Sequence, residues 1–404
     1  MLPAVSACKS KPEPNKVTEQ STAAQDTTEA EGTTAPKEED AGFQGLEFGK
    51  EIIVASYPSG SAYSRMYVLQ DGRMICAWPT KDSGKRCMKA VFSTDDGLSW
   101  SQPKVLFYGT DQTKTLANVD IIQLENGRIL IAYRSNDEDI KNGNFYSSIR
   151  IHASDDNCKT FYPHSTVNEL HETGVSGSVG LWEPYFGYLN GELACFFAIG
   201  KSVYKEPIIA STDIFVWRNE KWVRAEYTSK DGQKTDRNGM PIWRELSTGG
   251  YLMSVETKRF YAARGSSLLP YLLYSPDGKD WVGVTGTFFP DNAANGGAPF
   301  WVELPDGRIA VAFQTDEDVK GTELDTGKDN CKVTKIVVSE KGVPVPKLHS
   351  WNWSEAYDPF STPLGHYGNW PGMLIHNGYL YLYTSTDYPF NHIALVRAYV
   401  GDMK

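Results

Sequence analysis

The chain has 404 residues, 40% hydrophobic and 12% aromatic, which is enough to bury a large core, and it carries a net charge of -10. That acidic balance argues against a nucleic-acid partner, whose phosphates require a basic face, and favours a neutral or cationic one. No apolar run approaches the length of a membrane-spanning helix.

At the start, Val5-Ser6-Ala7-Cys8 resembles the lipobox at which a bacterial lipoprotein is cleaved and lipidated on its cysteine. Lys9 to Ala41 is built from Thr, Ala, Glu, Lys, Pro and Gln without an aromatic residue, a composition that cannot bury enough surface to fold. Residues 1–44 therefore read as a truncated lipoprotein signal remnant and disordered linker, and 45–404 as one folded domain. The expected location is extracellular or on the surface of a bacterium, with membrane contact only through a lipid at Cys8. A monomer is expected.

Glu51 to Ser56 is an apolar strand. After it, six times, a strand runs into a Gly-containing turn and returns as a second strand. The turns centre on Asp71-Gly72, Asn126-Gly127, Asn190-Gly191, Gly249-Gly250, Asp306-Gly307 and Asn377-Gly378. Asp-Gly and Asn-Gly are strong hairpin signals because a tight turn needs positive φ. The repeat length near 60 residues, with several strands and almost no amphipathic helix, predicts an all-β, six-bladed β-propeller with four-stranded antiparallel blades. Ile393 to Val400 is the last strand, and the ring is expected to close by mixing one N-terminal strand into the final blade. Cys76 and Cys195 each follow a turn glycine by four residues, a core-facing position, and no disulfide framework is indicated.

A second landmark follows five of the turns. Its fullest copy, Ser93-Thr94-Asp95-Asp96-Gly97-Leu98-Ser99-Trp100, matches the Asp-box pattern, and Ser275 to Trp281 is a shortened copy. Ser154 to Phe161, Ser211 to Asp213 and Ser339 to Gly342 are degenerate ones. The Asp satisfies turn amides, the Gly supplies positive φ and the Trp packs between blades, so these aspartates read as structural. Such Asp-box turns occur in sialidases and several other glycoside hydrolases, which directs attention to carbohydrate chemistry.

In a propeller, the starts of the first strands and the ends of the second strands meet on the face opposite the turns. Six residues after the turn glycine stand Trp78, Tyr133, Phe197, Glu256, Phe313 and Thr384. Glu256 is the carboxylate in this set and ends an apolar strand, so its charge must be held or used; Arg264 is the nearest candidate for a merely structural ion pair. Near the starts of the first strands stand Arg65, Asp120, Glu183, Pro299 and Trp370. Glu183, in Gly180-Leu181-Trp182-Glu183-Pro184, projects from the blade next to that of Glu256. Paired carboxylates across a cleft are the apparatus of glycoside hydrolysis.

Gly180 to Pro184, Gly239-Met240-Pro241, Val255-Glu256, Asn295 to Pro299, Thr315 to Asp318 and Trp370-Pro371-Gly372 resemble motifs of the exo-arabinanases of glycoside hydrolase family 93, over roughly residues 50 to 400. The resemblance implies a retaining six-bladed enzyme that releases arabinobiose from the non-reducing end of α-1,5-L-arabinan. It implies Glu183 as acid/base, Glu256 as nucleophile and Tyr367 as the tyrosine near the nucleophile. Bulk in Gly239-Met240-Pro241-Ile242-Trp243-Arg244 departs from the pattern, as does the bacterial style of the N-terminus.

For substrate contact, Trp182, Trp78, Trp370 and Tyr133 can stack on sugar faces, and Arg65, Arg134, Asn118 and Asp120 can bind hydroxyls. Asp316 is added from its acidic run. The runs Asp137-Glu138-Asp139 and Asp316-Glu317-Asp318 are oxygen-rich but read as solvated, and no metal or cofactor is expected. Two rivals remain. An exo-α-sialidase would use Glu256 with Tyr367 and Arg65 but needs three convergent arginines. A non-catalytic glycan-binding propeller has no need of two adjacent carboxylates.

Overall fold

The computed structural model describes residues 45–401 apart from 59, 61, 140–143, 174–179, 202–208, 227, 230–237, 258–267, 285–294, 326–331 and 350–351. The 1–44 segment with Cys8, and Arg264, lie outside the described residues. Phe43–Lys404 forms one compact unit.

The described residues form six sheets; five are made of strands consecutive in the chain, as hairpin turns between apolar runs require, and the sixth joins the last three strands to the first. Strand β1 (Ile52–Ser56) is set aside for the last of them. The first blade is β2 (Arg65–Val68), β3 (Met74–Asp82), β4 (Lys85–Ser93) and β5 (Lys104–Tyr108). The second is β6 (Thr113–Gln123), β7 (Ile129–Asp139), β8 (Asn144–Ser154) and β9 (Tyr162–Thr173). The third is β10 (Gly180–Leu189), β11 (Glu192–Lys201), β12 (Ile209–Arg218) and β13 (Lys221–Arg224). In the fourth, β15 (Gly239–Glu245), β16 (Tyr251–Thr257), β17 (Leu269–Ser275) and β18 (Asp280–Gly283) are joined by the short parallel β14 (Thr228–Ser229).

The fifth blade has β19 (Gly296–Glu303), β20 (Ile309–Thr315) and β21 (Val333–Val338), and its outer edge is met by single bridges, Ile336 with Tyr357 and Ser339 with Trp353. The sixth is β22 (Gly368–His376), β23 (Tyr379–Thr386) and β24 (His392–Tyr399), with β1 as the outermost strand, Ile52 opposite Leu395 and Ser56 opposite His392. The ring thus closes as expected: both ends of the propeller chain lie in one blade, and opening it means stripping β1 from β24.

Large aromatic side chains fill the seams between blades. Trp281 of blade four meets Phe196 of blade three edge-on at 5.7 Å, and both are fully buried. Around Ser93 to Trp100 the Asp95 carboxylate accepts from Ser99 N at 2.9 Å and Ser99 Oγ at 2.6 Å, while Trp100 Nε1 donates to Gly97 O. These bonds hold the Asp95 carboxyl down at about 2, Ser99 being the main cause. The neighbouring Asp96 accepts from Asn377 Nδ2 of blade six at 3.0 Å, so the turn also ties two blades together. Cys76 and Cys195 are free thiols in the core, as their offset implies.

One feature of the inner strands positions everything that follows. In blades two to six the pairing of the first strand with the second skips a step near its start, and in each a non-glycine residue there has positive φ: Asn118 (53°), Glu183 (55°), Met240 (50°), Ala298 (47°) and Trp370 (58°). These are β-bulges, which re-aim a strand's side chains. In four of the five the next residue is proline (Pro184, Pro241, Pro299, Pro371), tolerated because the skipped step asks no ladder hydrogen bond of it. A non-glycine residue at positive φ costs roughly 1–3 kcal/mol and persists where its surroundings hold it.

Candidate active site

The bulges converge on the channel axis. Tyr63 of the first blade, Val119, Met240 and Ala298 belong to one buried cluster, with half-buried Trp370 packed against it. Five blades contribute to this plug, and on its rim side stand the two glutamates picked out by the sequence.

Glu183 is the bulge residue of β10, half-buried, and its Oε2 accepts from the Met240 amide of the next blade at 2.7 Å. Glu256, the penultimate residue of β16, is 6% exposed, and its Oε2 accepts from the Ala298 amide, again of the next blade, at 3.2 Å. In each case the amide belongs to a bulge residue, so the strain of positive φ turns a backbone N–H toward a carboxylate. Charge-assisted bonds of this kind are shorter and stronger than neutral ones.

Two glycines make room for the pair. Gly239 lies opposite Glu256 in the β15/β16 ladder. A methyl group on it would sit 3.4 Å from Glu256 Oε1 and 3.6 Å from Glu183 Oε2, so the two oxygens are at most the sum of these, 7.0 Å, apart. On the other flank, a methyl on Gly297 would be 3.1 Å from Glu256 Oε2 and 3.6 Å from Gln314 Nε2. Gln314, 7% exposed, also accepts the Trp370 amide on its Oε1 at 3.1 Å, which fixes its amide orientation and leaves Nε2 on the Gly297 side, near Glu256. Gln314 is not among the residues picked out by the sequence; its position opposite Gly297 in β19/β20 is what identifies it.

On the blade-two side, Asn118 and Arg134 come together. Ala117 pairs with Arg134, so the two side chains stem from adjacent ladder steps beside Glu183. Asn118 Oδ1 and Arg134 Nε are buried polar atoms that make no hydrogen bond among the described residues. Burial lowers the Arg134 pKa, and the Glu183 charge pulls it back up. Trp182 stands half-buried at the rim with its ring folded over Gly180, where a methyl group would approach Cζ2 to 2.4 Å. Trp370, half-buried, has its ring 5.6 Å from that of Tyr63.

The other sequence candidates fall elsewhere. Trp78 and Tyr133, expected to stack on sugar, are instead 2% and 4% exposed and fill the core. Their alternation along β3 and β7 faces them into the seams, and the Tyr133 hydroxyl meets His152 Nδ1 at 3.1 Å. Asp120 lies one step below the blade-two bulge and lines the channel, as does Arg65 of blade one. Asp316 is buried and clamps Asn295 through its backbone N–H (2.7 Å) and Nδ2 (2.8 Å), holding the loop that leads into Gly297. Tyr367 donates to Gly60 O at 2.9 Å and lies 3.1 Å from Asn391 Oδ1, contacts within the loops around blade six. Of the acidic runs, Asp137 pairs with Arg150 at 2.5 Å, and Glu317 and Asp318 both engage Lys335.

No family model and no curated protein matches this chain. Solved structures do match in fold. The α-L-arabinanase of Penicillium chrysogenum complexed with arabinobiose is 16% identical, with 88% of this chain and 99% of that one covered at a TM-score of 0.58. The GH93 α-L-arabinofuranosidase of Fusarium graminearum with arabinobiose is 15% identical, with 87% and 98% covered at a TM-score of 0.58. A Hadza microbial sialidase is 12% identical, with 84% of this chain and 66% of that one covered at a TM-score of 0.50.

Proposed function

We propose that this protein is a retaining exo-acting glycoside hydrolase of the family 93 kind, cleaving arabinobiose from the non-reducing end of α-1,5-L-arabinan, with Glu183 as acid/base and Glu256 as nucleophile. The observation that carries the reading is the convergence of the two carboxylates on Gly239. The 7.0 Å ceiling on their nearest approach accommodates the ~5–5.5 Å separation of a retaining pair, in which one carboxylate attacks the anomeric carbon directly. The likeness of the fold to enzymes solved with arabinobiose favours an arabinose-containing substrate.

In this mechanism Glu256 attacks the anomeric carbon while Glu183 protonates the departing glycosidic oxygen. A water deprotonated by Glu183 then cleaves the arabinosyl ester on Glu256. The Ala298 amide orients Glu256 for attack, with the Gln314 side chain nearby. Asn118 Oδ1 and Arg134 Nε are an acceptor and a donor that a sugar hydroxyl satisfies on binding, and Trp182 and Trp370 border the same rim. The sialidase alternative has little support: Arg65 lies in the channel bonded to Ser64 O and Tyr63 OH rather than beside the glutamates, and Tyr367 bonds to the blade-six loops.

The test is to incubate the protein separately with debranched linear arabinan and with sialyllactose and to identify the products. Arabinobiose from the first and no sialic acid from the second is the expected outcome. Efficient release of sialic acid overturns the reading.

A further inference from the structure

Below the plug, the channel widens into a cavity of about 510 Å³ that runs toward the turn face and is lined by the inner strands of all six blades. Two guanidinium groups stand in it. Arg65 is 2% exposed and donates Nη1 to Ser64 O at 2.8 Å and Nη2 to Tyr63 OH at 2.7 Å. Arg244 donates Nε at 2.9 Å and Nη2 at 2.5 Å to a single acceptor, the Tyr185 hydroxyl. Both lie near the ring of Phe300, at 5.2 and 5.6 Å from its centroid.

Arg65 is buried and Arg244 partly buried, and arginines withdrawn from solvent are ordinarily paired with a carboxylate. Here, among the described residues, no carboxylate oxygen lies within 4.0 Å of either guanidinium. Asp120 also lines the cavity, its Oδ2 accepting the Phe186 amide at 2.7 Å, and its charge acts on both arginines from beyond 4.0 Å. Glu245 is at the mouth and solvated. Two positive charges thus face at most one negative charge in a cavity open to solvent on one side, with several N–H groups not spent on protein acceptors. The hydroxyl of Tyr185, already accepting twice, has its own proton to donate.

We propose that the central channel binds a small inorganic anion, from chloride to phosphate in size, between Arg65 and Arg244, entering from the turn face. The anion supplies the missing counter-charge and ties blades one and four across the channel. This assignment is independent of the chemistry at Glu183 and Glu256, which lie on the other side of the plug.

The experiment measures thermal unfolding of the full chain in gluconate buffer, titrated with sodium chloride, bromide or phosphate at constant ionic strength. A saturable rise in Tm for at least one of the three is expected, and crystals soaked in bromide should show an anomalous peak between Arg65 and Arg244. Arg244→Met should abolish the rise. Should that variant not fold, Asp120→Asn serves: removing the carboxylate charge while keeping an acceptor for Phe186 should tighten anion binding about fivefold or more. A rise that does not saturate for any of the three, a bromide peak absent from the arginine pair, or weaker anion binding in Asp120→Asn overturns the proposal.

Discussion

The carboxylate of Glu256 belongs to blade four, yet the amide that it accepts from, Ala298 N–H at 3.2 Å, belongs to blade five. Glu183 repeats the arrangement one blade earlier with Met240 N–H at 2.7 Å. Each glutamate is therefore oriented by its neighbour's bulge, and the geometry of the pair is a property of three blades packed together.

The proposed mechanism gives the two groups unlike roles, and kinetics can separate them. Glu256→Gln should abolish turnover on every substrate, because no glycosyl ester can form. Glu183→Gln should lose about 10²–10⁴-fold on arabinan but keep most of its first-step rate on an aryl arabinofuranoside whose leaving group needs no proton. Equal losses on both substrates in the Glu183 variant would contradict its role as the acid.

Gly239→Ala should leave stability near that of the parent, since the added methyl meets both carboxylates at ordinary contact distance and the backbone is unstrained. It occupies the space between them, however, so kcat/KM on arabinan should fall about 100-fold or more. Gly297→Ala should be at least as damaging, because its methyl at 3.1 Å forces the Glu256 carboxylate to move. Melting curves and steady-state kinetics on the same preparations check both.

Gly278→Ala should do the reverse. At φ of +76°, and with Leu189 Cδ1 2.1 Å from where its methyl would lie, the substitution strains the backbone and drives a blade-three side chain away. A loss on the order of 2 kcal/mol or more is expected in denaturant unfolding, with kcat unchanged in the folded fraction.

Burial lifts the Asp120 carboxyl to about 7, against the opposing pull of the Phe186 amide and of Arg65. An acid whose folded pKa is raised favours the folded state most at low pH. Its contribution falls as pH climbs from about 4, the unfolded value, to about 7, and is level above that. Comparing unfolding free energies of the parent and Asp120→Asn across this window should show the parent losing a few kcal/mol relative to the variant. Parallel curves would remove the assignment. His152, lowered to about 4 by burial, acts in the opposite sense over an overlapping range, so the difference between variants is the quantity to read.

The blade count and ring closure were legible in the chain because a hairpin turn is a local event: Asn126-Gly127 or Asp306-Gly307 turns by its own backbone preferences, whatever surrounds it. The placement of Glu183 and Glu256 on one rim followed from counting residues from those turns. Counting did not serve for Trp78, Tyr133, Arg65 and Asp120. Whether a strand side chain reaches the rim, a seam or the channel depends on the bulge and on the neighbouring blade, and those are non-local. The prolines after Glu183, Met240, Ala298 and Trp370 are the one sequence trace of the bulges, visible as a pattern only once the skipped pairings are seen. Local backbone chemistry thus determined how many blades there are and which face bears the glutamates. Only tertiary packing decided that Met240 and Ala298 turn their amides to them, that Gly239 and Gly297 leave them room, and that two arginines lie beneath.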